Sequence, residues 1–213
     1  MAAFLDEARI PAVAANANKP FDAAAVFGSR EEVIGLSLSP DGKSVAYIAA
    51  LEGKGSALIT RDLAEGSKSQ VAFMASGKPE RLGNCHWVSD ARLVCTVYGV
   101  VDGVTDLLPF TRLLAVDRTG ANVKLLSTKQ NDHSHGLQLG GGEVIDWLPD
   151  EEGTVLMSRV YVPDDHLGSR AGSTQEGLGV DRLDTRTLAD RRGMVTPGCN
   201  KMASSHGERP SAM

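Results

Sequence analysis

Val33 to Ala50 reads VIGLSLSPDGKSVAYIAA, two strand-like runs joined by Ser39-Pro40-Asp41-Gly42. Ile34, Leu36 and Leu38 alternate with Gly35 and Ser37 before the turn, and Val45, Tyr47 and Ile48 carry a second apolar run after it. Period-two alternation on both sides of a turn predicts a β-hairpin. Proline presets φ at the first central position, Asp hydrogen-bonds its own backbone, and Gly tolerates the positive φ of the exit. The turn is therefore written into local chemistry.

Weaker copies of this stretch recur. Four short runs, ending with Ser56 to Asp62 and Gln70 to Met74, form a first unit. The second contains Arg81 to Trp87, Ala91 to Tyr98, a loop from Gly99 to Pro109, Thr111 to Asp117 and Val123 to Leu126. The third contains Glu143 to Trp147, the turn Leu148-Pro149-Asp150, Thr154 to Tyr161, an insertion over Pro163 to Gly179, and Val180 to Thr185. The copies share a turn Asp (Asp41, Asp90, Asp150) and a third strand that closes on Asp (Asp62, Asp117, Asp184). The turn aspartates are spaced by 49 and then 60 residues. A four-stranded repeat of about 40–50 residues is the mark of a β-propeller blade. The expected architecture is all-β, a partial propeller of about three four-stranded antiparallel blades over 31–76, 78–128 and 139–188, with disordered termini. A β-sandwich with coincidental turn spacing is the alternative.

Residues 1–30 form an N-terminal arm in which FDAAAVFGSR (Phe21 to Arg30) reads as a short helix or loop anchored by Phe21 and Phe27. Ala15-x-Ala17 resembles the end of a secretory leader, but Met1 to Leu5 lacks a basic start. A complete N-terminus implies a cytoplasmic protein; a truncated leader implies a periplasmic one. From Leu188 the pattern stops, and residues 189–213 are expected to be a disordered or out-of-frame tail. Three blades do not close a ring, for which roughly four to eight are usual. Two uncovered blade faces then predict poor solubility or oligomers.

The 213 residues are 42% apolar and 23% charged with a net charge of −5, the profile of an ordinary globular chain. That balance does not suit nucleic-acid binding. No stretch approaches the roughly 18 apolar residues of a membrane-spanning helix.

SPDGKSVAYIA, KPERLGNCHWVSDARLVCTVYG, EVIDWLPDEEGTVLM and GLGVDRLDTRT together resemble the N-terminal propeller of bacterial serine peptidases of the prolyl oligopeptidase family, near the dipeptidyl and acylaminoacyl peptidase branches. The resemblance covers about Phe21 to Leu188. It implies a propeller that caps an α/β-hydrolase domain and gates peptide access to it. The parent is then a hydrolase whose partners are that domain and a peptide substrate. The catalytic Ser, Asp and His belong to the hydrolase domain, and this chain contains no Gly-x-Ser-x-Gly elbow. Gly168-Ser-Arg-Ala-Gly172 places its Ser one position early. No catalytic, cofactor-binding or metal residue is therefore assigned. The alternative function is a stand-alone protein-binding propeller resembling that of the Tol system, with the 163–179 insertion among its binding loops.

Other groups read more simply. His133, His135 and Asp132 lack the third or fourth ligand of a metal site, so a solvated loop is expected. Cys85 and Cys95 flank the Ser89-Asp90 turn almost symmetrically. A cross-strand disulfide is open to them if they face one another in an oxidising compartment; two buried thiols are the other reading. Cys199 has no evident partner. Trp87 and Trp147 occupy equivalent places and are expected to pack between blades rather than form a ligand platform. Gly140-Gly-Gly142 precedes a strand-like run, so it reads as a flexible loop and not a phosphate cradle. Asp150-Glu151-Glu152 and Asp164-Asp165 read as solvated turns.

Overall fold

The computed structural model describes residues 22–51, 53–127, 139–163 and 176–195. Two compact units result, divided after Arg30. In the first, α1 (Ala23–Phe27) ends where the Gly28 amide donates to the Ala24 carbonyl at 2.9 Å. Phe27 is 82% exposed and so is not the anchor expected of it; Phe21 lies outside the described residues.

The second unit is all-β. Its strands are β1 (Val33–Leu38), β2 (Ser44–Ala50), β3 (Ser56–Asp62) and β4 (Gln70–Ala75); β5 (Arg81–Ser89), β6 (Arg92–Asp102), β7 (Leu107–Asp117) and β8 (Lys124–Leu125); and β9 (Glu143–Asp146), β10 (Thr154–Tyr161), β11 (Gly177–Asp184) and β12 (Asp190–Val195). Each set of four forms one antiparallel sheet in simple meander order. Three successive four-stranded meanders packed face to face are consecutive blades of a partial β-propeller.

The defining hairpin forms as its residues dictate. The Ser39 amide donates to the Ser44 carbonyl at 2.8 Å, the Gly42 amide closes on the Ser39 carbonyl at 2.9 Å, and Gly42 has φ +71°. The Asp41 carboxylate accepts from the Ser39 hydroxyl at 2.7 Å and the Lys43 amide at 3.0 Å. One detail departs from simple alternation. Gly35, at φ +60°, sits in a bulge where the β1–β2 register shifts. Ile34 consequently packs toward the core, whereas Leu38 pairs with Val45 on the opposite face.

Three further boundaries move. The expected loop from Gly99 to Pro109 is largely strand, since β6 and β7 stay paired out to Asp102 and Leu107. Pro109 is tolerated because β8 pairs with β7 only at Leu114 and Ala115, so no ladder on that side asks Pro109 for an amide. β11 begins at Gly177, earlier than Val180. The third correction concerns the tail: β12 lies within it and pairs with β11, completing the third sheet.

The middle sheet is buried on both faces. Leu93, Cys95, Leu114 and Val116 face the first sheet with Ile48 and Leu58, while Val94, Leu113 and Ala115 face the third with Val155, Met157 and Leu183. Strand alternation thus feeds two cores from one sheet.

Candidate functional site

The repeated turn residues meet in space. The Asp41 amide donates to the Asp90 carboxylate at 2.9 Å, joining the first turn to the second, and the Gly153 amide donates to the Val88 carbonyl at 2.9 Å, joining the third. The strand-closing aspartates have a shared job: each sits opposite the first residue of the second strand of its sheet, Ser44, Arg92 and Thr154 respectively. Asp62 accepts from the Ser44 hydroxyl and pairs with Arg118, in the turn that follows β7. These hydrogen bonds, the Ser44 one foremost, hold its carboxyl below the ordinary range. Burial works to raise Asp117, yet Asn122 and Arg92 outweigh it and its acidity is also increased. Asp184 is lowered first by the Thr187 amide, against burial, with the Arg186 amide adding to it. Asp41 is lowered chiefly by the Ser39 hydroxyl.

Arg92 was not anticipated by sequence reading. It is fully buried, pairs with Asp117, and donates to the Asn122 carbonyl at 3.0 Å and the Thr185 carbonyl at 2.7 Å. One guanidinium therefore ties the second sheet to the third. Arg159, beside Asp181 at 3.1 Å, makes a second such cluster, with Tyr161 donating to the same carboxylate. The only hint of either in the sequence is a charged residue inside an otherwise apolar strand pattern.

Cys85 and Cys95 are register partners on β5 and β6 and form a disulfide, with Cα atoms 4.0 Å apart. Trp87 is buried in the core between the first and second sheets, and its indole N–H donates to the Ser37 carbonyl at 3.2 Å. Trp147 packs at the core between the second and third sheets, as expected of an inter-blade residue, and also stacks on His86 with ring centroids 4.1 Å apart. His86, at an exposed strand position, was overlooked.

The glycine triple is not a slack loop. A Cβ at Gly141 would lie 2.6 Å from the Thr111 carbonyl oxygen, and one at Gly142, which has φ +84°, would lie 2.4 Å from the Ser158 carbonyl oxygen. Backbone is wedged here between two sheets, and the Gly141 amide donates to the Thr111 hydroxyl at 3.0 Å. Of the acidic turn, Asp150 and Glu152 are exposed whereas Glu151 pairs with Arg182. His133, His135, Asp132, Asp164, Asp165, Cys199 and the 168–172 pentapeptide lie outside the described residues. Among the described residues no group of three or more His, Cys, Asp or Glu is placed to hold a metal ion, and no helix is long and apolar enough to cross a membrane.

Hollows border the sheets, one of about 560 Å³ beside Lys54, Pro79 and Tyr98. A largely apolar cleft of about 760 Å³ lies between the first and second, lined by Phe73, Val97, Phe110 and Leu114 with Glu80 and Arg112. A smaller one, between the second and third, carries Asn84, Thr96, Thr111, Glu143 and Trp147.

Fold and site together define a propeller-blade array held by inter-sheet polar clamps. No family model matches the chain, and no curated protein matches it. Among solved structures it is similar to part of a puromycin-hydrolysing peptidase of Mycobacterium tuberculosis, at 13% identity and a TM-score of 0.36, over 78% of this chain and 30% of that one. The chain thus spans under a third of that protein's length, and the activity in its name is that protein's own.

Proposed function

We propose that this chain is the N-terminal propeller segment of a prolyl oligopeptidase-type serine peptidase, with blades over about 31–76, 78–128 and 139–195. In this reading it gates peptide access to an α/β-hydrolase domain outside the present sequence and is catalytically silent alone. The supporting observation is the run of three meander sheets, joined turn to turn, on the same residues whose motifs resemble that family. The Cys85–Cys95 bond favours an oxidising compartment for this protein, since such bonds are reduced in cytosol.

The test is a turnover assay of the purified 213-residue chain on fluorogenic dipeptidyl and acyl-peptide amides, paired with sequencing of the coding DNA past codon 195. No turnover, together with a downstream Gly-x-Ser-x-Gly elbow, is expected. Activity that co-purifies with the chain and survives removal of contaminating peptidases would refute the silent-cap reading, and coding DNA without a hydrolase domain would refute the peptidase parent.

A further inference from the structure

The smaller hollow, about 360 Å³, opens where β5, β6 and β7 of the second sheet face β9 of the third. Its size is at the low end of the range for small-molecule sites, about 300–1,000 Å³. Asn84 and Thr96 bring an amide and a hydroxyl, and Thr111 a second hydroxyl whose oxygen already accepts from the Gly141 amide. The Trp147 indole and the Glu143 carboxylate complete the polar wall, with Val94 and Leu113 as apolar floor.

Charge decides what such a hollow takes. Glu143 is the one charged side chain lining it among the described residues. The arginines of β6, β7 and β10 are committed elsewhere, and the His86 imidazole stacked on Trp147 has its Nδ1 2.8 Å from the Trp87 carbonyl. Arg112 shares a face with its register partner Val97, which belongs to the core toward the first sheet. Arg92 is held by Asp117, Asn122 and Thr185, and Arg159 by Asp181 and the Leu126 carbonyl. A lone carboxylate repels anions, and one carboxylate is too few for a metal site. Trp147 lines the hollow, and an indole attracts organic cations through its quadrupole; His86 stacks on one face of that ring. Hydroxyl and amide oxygens suit the hydrogen atoms around an ammonium centre.

We infer that this inter-sheet hollow is a binding site for a small organic ammonium ion, with Glu143 as counter-ion and Trp147 as aromatic wall. This inference stands on the cavity and goes beyond the peptidase reading. The probe is choline, titrated into the full chain and followed by tryptophan fluorescence and calorimetry, with sodium chloride at matched ionic strength as blank. Saturable binding with a low-millimolar Kd is expected. The neutral isostere 3,3-dimethylbutanol is expected to bind about tenfold more weakly, as is choline to the Glu143→Gln variant. Glu143 is exposed on a short strand, so that variant keeps its fold; a thermal melt matching wild type checks this. Trp147→Leu, read by calorimetry, is expected to lose choline binding. No saturable signal above the salt blank, or equal affinity for the neutral isostere, or an unchanged Kd in Glu143→Gln, each overturns the site.

Discussion

The second sheet and the first are made from the same repeat, yet among the described residues the second is covered on both faces and the first on one. In the second, consecutive residues Leu93, Val94 and Cys95 are all buried, as are Leu114, Ala115 and Val116. In the first, Ala46, Ile48 and Leu58 are buried on the face toward its neighbour. Its other face shows Leu38 at 54%, Val71 at 50% and Met74 at 64% exposure, on positions that register with Val45, Ile59 and Ala57. The far face of the third sheet repeats this with Val160 and Leu178, which are paired partners and both exposed. The sheets thus carry apolar side chains on covered and uncovered faces alike. Stability then comes from the neighbour and not from the blade.

That contrast sets the order of expected effects. The largest belongs to Arg92, where Arg92→Ala removes a fully buried cation from Asp117 and two carbonyls and is expected to cost about 3–5 kcal/mol in urea unfolding. A loss under about 1 kcal/mol would show that the clamp between second and third sheets is not a stabilising element. Leu93→Ala, in the doubly covered sheet, should cost about 2–5 kcal/mol. Val71→Ala on the uncovered face should stay within about 0.5 kcal/mol; equal costs would abolish the distinction between the faces.

Reducing the disulfide, or replacing both Cys85 and Cys95 with Ala, is expected to cost about 2–3 kcal/mol, given the short loop of sequence separation 10. An unchanged denaturation midpoint under reductant would mean the bond contributes nothing. A smaller effect is expected with pH. Asp41, Asp62, Asp117 and Asp184 have folded pKa values below their ordinary value of 3.8. Unfolded chains therefore take up these protons first, so the carboxylates' contribution is present above about pH 4 and is lost as pH falls through the folded values. Thermal stability that rises on acidification from pH 5 to 3 would contradict this. The least effect on stability, but a visible one on association, belongs to Val71→Lys with Met74→Lys. These charges should shift the chain from oligomer toward monomer in size-exclusion chromatography; a wild-type chain already eluting as a sharp monomer would remove the premise.

Local chemistry made much of the fold legible. Ser39-Pro40-Asp41-Gly42 and Thr154 to Tyr161 appear as read, because turn preferences and period-two alternation act within a few residues. Gly99 and Pro109 misled for the complementary reason. Both are breakers by propensity, but pairing with the opposite strand carried β6 and β7 through them. Of the candidate site, Trp147 was visible as a large aromatic. Its partner His86 and the neighbours Asn84, Thr96, Thr111 and Glu143 come from four different strands, so no sequence interval announces them.

By itself, then, the sequence determined the hairpins, the repeat with its turn and strand-closing aspartates, and the all-β class, since each depends on backbone preferences of neighbouring residues. Tertiary structure decided the remainder. Placing Cys85 opposite Cys95 required the β5–β6 register, making Gly141 and Gly142 indispensable required two sheets closing on them, and admitting β12 required the waiting edge of β11. Burial of Arg92 required acceptors from two sheets at once. These outcomes rest on contacts between residues far apart in the chain, whose energies exist only after the sheets have packed.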